Sequence, residues 1–75
     1  MTRKQYRAII NSQAYKEFLV VLSDHVPNHP ERYTARITRE LGTRIAPMHI
    51  VAWVIRAALP DSYFKNTDSL LERSR

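Results

Sequence analysis

With 75 residues, a formal net charge of +5 and no cysteine, the chain reads as one small domain, residues 1–75. It must fold on its own apolar core or by self-association, without disulfides or a thiolate-held metal. Hydrophobic residues at 44% supply that core. The basic start Arg3, Lys4, Arg7 is followed by only three apolar residues before Asn11, too few for a secretory signal.

The first pattern runs from Thr2 to Asp24. Thr2 with Gln5 fits a capping box, and Asn11-Ser12 offers a second N-cap. Beyond it Ala14, Phe18, Val21 and Leu22 share one helical face, widened by Tyr15 and Leu19. The favoured expectation is one helix over 2–24, kinked at Asn11-Ser12; two elements meeting there is the alternative. His25-Val26-Pro27-Asn28-His29-Pro30 breaks the chain, because prolines disallow a continuous helix. Pro30 then opens a helix to Leu41, with Glu31 in its first turn and Gly42 as its stop. Tyr33, Ile37 and Leu41 make its apolar stripe. Arg32, Arg36 and Arg39 make another, centred roughly 135° away.

Pro47 opens the next helix, which runs to Leu59 before Pro60. Met48, Ile50, Val51, Val54, Ile55, Ala57, Ala58 and Leu59 cover most of its circumference, and His49 with Arg56 marks a polar stripe bordered by Ala52 and Trp53. A helix this apolar is normally buried by several neighbours, so 47–59 is expected to be the buried centre of the molecule. It falls short of the roughly 20 apolar residues that span a bilayer. A last short helix is expected around Ser69–Arg73, where Ser69 and Glu72 suit a capping box and Tyr63, Phe64, Leu70 and Leu71 would dock it; residues 74–75 should fray. One glycine in the whole chain argues against a hairpin-rich β protein. The expected fold is all-α, with three main helices plus a short C-terminal one.

Positive charge gathers at the N-terminus and between residues 31 and 45, and arginine outnumbers lysine nine to three, which favours bidentate contacts to phosphate or carboxylate. A solvated basic surface without an acidic partner is the plainer alternative. No glycine-rich phosphate loop, nucleophile elbow or paired-histidine zinc motif occurs. His25 and His29 sit in the proline loop without a third ligand at a recognisable spacing. No catalytic residues, metal or cofactor are expected.

Thr34-Ala35-Arg36-Ile37-Thr38-Arg39-Glu40-Leu41-Gly42, a turn, then Ala46-Pro47-Met48-His49-Ile50-Val51-Ala52-Trp53 resembles the helix-turn-helix of small phage-type repressor and Cro-like regulators. The likeness covers about 25 of the 75 residues. It implies that Met48, His49, Ala52 and Trp53 face base edges while Arg32, Arg36, Arg39 and Arg44 meet phosphates. Ten residues separate Gly42 from Trp53, about two more than the tightest versions of the motif leave. Of the residue types that read bases, the second helix offers His49 and, further on, Arg56. The same residues also read as two ordinary helices joined by a glycine turn.

The leading expectation is therefore a cytoplasmic, non-membrane transcriptional regulator that binds DNA, as a homodimer. Arg3, Lys4, Arg7, Arg32, Arg36, Arg39 and Arg44 would supply phosphate affinity, and His49 and Arg56 any base contact. So short a chain without cysteine suits a phage or plasmid gene. The rival expectation is an inhibitor or accessory factor that engages RNA polymerase or another regulator through Met48, Ala52, Trp53 and the arginine face. A place in an ordinary core is nevertheless the commonest fate of a tryptophan such as Trp53.

Overall fold

Ser12 divides the first third of the chain. The computed structural model describes residues 1–64, which form four helices with no strand among them. They are α1 (Arg3–Asn11), α2 (Gln13–Asp24), α3 (Glu31–Leu41) and α4 (Met48–Ala58). All-α is thus the fold class of the described part. Residues 61–64 start a further helical turn; the helix expected around Ser69–Arg73 lies outside the described residues.

The N-terminal capping box forms as the sequence predicts. Thr2 Oγ1 accepts from the Gln5 N–H at 3.2 Å, and Gln5 Oε1 accepts from the Thr2 N–H at 3.0 Å. The single helix favoured over 2–24 does not form. Ser12 adopts an extended backbone with φ −68° and ψ 147°, and its buried hydroxyl works in both directions. It donates to the Ile9 carbonyl and accepts from the Tyr15 N–H at 3.3 Å. A serine that caps one helix while closing its predecessor has no reason to join them.

A residue far along the chain completes this junction. Glu40, at the end of α3, places Oε1 2.7 Å from the Gln13 N–H and Oε2 3.0 Å from the Ala14 N–H. One carboxylate thereby satisfies two N–H groups at the start of α2, where the helix dipole favours negative charge.

Ile9, Phe18, Ile37 and Val51, one from each helix, are fully buried. The Phe18 ring lies 6.1 Å from that of Tyr15 and 5.2 Å from that of Tyr33, both tilted, a geometry that suits aromatic quadrupoles. α3 packs on each of the other three helices, whereas α4 packs extensively on α3 alone. The expected buried centre at 47–59 is therefore corrected. Val51, Val54, Ile55 and Leu59 are buried, yet Trp53 is 62% exposed and Met48 56%. α4 has the most apolar sequence, but α3 lies against only one of its sides.

Gly42 ends α3 with φ 80° and ψ 153°, a region essentially reserved for glycine, and its N–H bonds to the Thr38 carbonyl at 2.8 Å. A Cβ added there would meet nothing within 4 Å, so substitution is a pure backbone test. Gly42→Ala should cost about 1–3 kcal/mol in urea unfolding; no loss would mean that the turn relaxes freely. Glu40 gives a second test. Its carboxyl is held below its ordinary value of 4.5, first by the Gln13 N–H and then by that of Ala14. Because folding favours the charged form, the contribution is complete above the ordinary value and vanishes as pH falls through the lowered one. Glu40→Gln should therefore melt below wild type near neutral pH, with a gap that closes as the pH drops below about 4.5. A gap independent of pH would mean that the charge on Glu40 does not matter to the cap.

Candidate nucleic-acid and partner interface

The outer face of α4 is where the exposed chemistry collects. At about 100° per residue, His49, Trp53 and Arg56 fall on one stripe, and all three are exposed. Ala52, half-buried, borders it. Pro47 sits at the start of α4 with φ −58° and no side-chain cap. Ile45 in the preceding turn is 43% exposed, as is Met48 to a greater extent.

Beside it lies the beginning of α1. Met1 lines a cleft together with His49, Ile50 and Trp53. Met1 also lines a second, shallower depression with Thr2, Arg3, Tyr6 and Arg7. The two surfaces share an edge, so the N-terminal basic cluster adjoins the α4 stripe. Arg3, Lys4 and Arg7 are exposed and form no salt bridge among the described residues. Tyr6 stands 45% exposed among them. On its other side the α4 stripe reaches a groove between α3 and the turn at 61–64, where Ala52 and Arg56 lie with Glu31, Thr34, Tyr63 and Phe64.

The α3 arginines are arranged differently. Arg32, Arg36 and Arg39 are exposed, as the sequence predicts, and Arg44 is exposed in the turn after α3. Arg36, however, pairs with Glu17 of α2, and its guanidinium carbon lies 5.8 Å from the centre of the Tyr33 ring. Both partners are nearly half exposed, so the pair adds little stability, but it directs Arg36 toward α2. No described contact links the α3 arginines to the α4 stripe. The cations that adjoin the stripe are those of α1, together with Arg56 within it.

Three acids have partners of their own, and one of them, Glu31, also lines the groove that holds Arg56. Glu17 holds Arg36, Glu40 caps α2, and Glu31 accepts from His29 Nδ1 at 3.1 Å. The Glu31 carboxyl is lowered chiefly by its own backbone N–H, with help from His29 and Arg32. No acidic residue lines either cleft that Met1 borders. Of the residues in this surface, Met1, Ile45, Tyr6 and Ile50 escape a reading of the sequence. The surface is joined by Met1, which lies with His49, Ile50 and Trp53, a placement that no periodicity encodes.

Among the described residues no group of three metal-ligating side chains converges, and no helix is long and apolar enough to cross a membrane. The chain matches no protein-family model, no curated protein and no solved structure.

Trp53 is the one tryptophan of the chain, so its surroundings can be read directly. Its emission should lie at the red end of the indole range and be quenched freely by acrylamide. Trp53→Ala should alter stability by less than about 0.5 kcal/mol, as expected of a surface position. A blue emission resistant to quencher would return Trp53 to the core.

Proposed function

We propose that this protein is a small nucleic-acid-binding regulator that meets DNA with the outer face of α4 and the basic start of α1. The observation that carries the reading is that Met1 lines both the cleft with His49 and Trp53 and the depression with Arg3 and Arg7, with no acid in either lining. A surface of one sign raises the local concentration of a polyanion and speeds its capture. Arg32, Arg39 and Arg44 add to the positive field from the far side of α3, and Arg36 does so less because Glu17 offsets it. The helix-turn-helix likeness of residues 34–53 fits α3 and α4, although the six residues from Gly42 to Pro47 exceed the usual three or four of that turn. Regulation of transcription, with the chain acting as a homodimer, is the use we assign to such binding.

A second reading draws on a separate observation. Ile45, Met48 and Trp53 are each exposed, and a solvent-facing tryptophan is an anchor that a protein partner such as the transcription machinery would grip.

Fluorescence anisotropy with a labelled random-sequence duplex distinguishes the two. Under the first reading, affinity falls by orders of magnitude between about 50 and 200 mM salt. Replacing Arg3, Lys4 and Arg7 with alanine should flatten the salt slope by about 0.9 for each phosphate no longer neutralised. If no oligonucleotide, duplex or single-stranded, binds at low salt, the nucleic-acid reading fails and the protein-partner reading takes its place.

A further inference from the structure

We infer that the preferred nucleic-acid ligand is a single strand, its bases stacked on Trp53 and Tyr6 and its phosphates held by the cations of α1 and by Arg56. The inference rests on the nucleic-acid reading above and specifies the form of the ligand. Three observations lead to it.

The first concerns what α4 lacks. A helix that reads duplex DNA needs donors and acceptors aimed at base edges, yet the exposed stripe of α4 provides only His49 and Arg56 around an indole. An indole face reads no edge, but it binds any unpaired base by stacking. The second is the openness of the aromatics. Trp53 is 62% exposed and Tyr6 45%, and neither takes part in a ring contact with another aromatic among the described residues. The inner rings Tyr15, Phe18 and Tyr33 pack with one another instead, so the two outer rings keep their faces available. The third is the order of charge and ring. Arg3 and Arg7 lie with Tyr6 in one depression, Met1 bridges to the next, and Trp53 lies there with His49, followed one turn along α4 by Arg56 in the groove it shares with Glu31. Alternation of cations with exposed rings matches the alternation of phosphates with bases along an unpaired strand. In a duplex the bases face inward and leave the rings nothing to stack on.

The test compares an oligothymidylate of about 12 nucleotides with a duplex of equal length, both fluorescein-labelled, at low salt. The single strand should bind more tightly and quench the Trp53 emission. Trp53→Leu, which keeps an apolar side chain but no ring system, should weaken single-strand binding about ten-fold, while Trp53→Phe should recover most of the affinity. Tyr6→Ala should act in the same direction as Trp53→Leu. Circular dichroism of each variant checks that the helices persist. If the duplex binds as tightly as the single strand and Trp53→Leu changes nothing, stacking is overturned while the nucleic-acid reading stands. If neither ligand binds, both fall together. Binding to an acidic peptide with unchanged indifference to oligonucleotides would transfer the same surface to a protein partner and overturn the inference.

Discussion

The first N–H groups of a helix have no carbonyl behind them within the helix, and α2 begins in the middle of a chain that could have continued straight through. Three different acceptors meet that need. The Ser12 N–H reaches the Ile9 carbonyl at 3.1 Å, Gln13 and Ala14 share the Glu40 carboxylate, and Tyr15 takes the Ser12 hydroxyl. Because the carboxylate comes from α3, the junction of α1 and α2 and the end of α3 are one structural unit. Everything else is placed relative to it. Phe18 is brought one turn inside α2 to meet Tyr33, and Ile37, one turn before Glu40, is drawn fully into the core.

This arrangement makes the most polar helix the hub. α3 carries arginines on its outer side and needs only Ile37, Thr34 and the flanks of Tyr33 and Leu41 to pack inward. α4, richer in apolar residues, then has a single broad partner and more hydrophobic surface than that partner covers. What remains outside is the stripe around Trp53. Among the described residues no second element covers that side of α4. The cations Arg3 and Arg7 lie in the depression that meets this side at Met1.

Local features are legible in the sequence. The Thr2–Gln5 box, the proline break at 25–30, the helix opened by Pro30 and the stop at Gly42 all depend on residues within a few positions of one another. So does the exposure of Arg32 and Arg39, which follows from helical periodicity. What escapes the sequence depends on partners distant along the chain. Glu40 looks like one more solvated acid among arginines until α2 lies across it. Ser12 is visible as a cap, but a kink and a clean break share the same residues, and the carboxylate that settles the matter is 27 residues away from Gln13. Trp53 shows the opposite difficulty. Composition favours burial for such a residue, and its exposure follows from the absence of a second broad neighbour for α4 among the described residues. Tyr6 and Met1 belong to the candidate surface only because α1 begins beside α4.

The Glu40 cap also sets an order of events. A chain emerges from the ribosome at about 5–20 residues per second, so the carboxylate that Gln13 awaits follows it by roughly one to five seconds. Through that interval the nascent α2 has its serine but not its acid, and its first turn remains open to water. The first turn of the second helix is therefore fully capped only once the end of the third has been made.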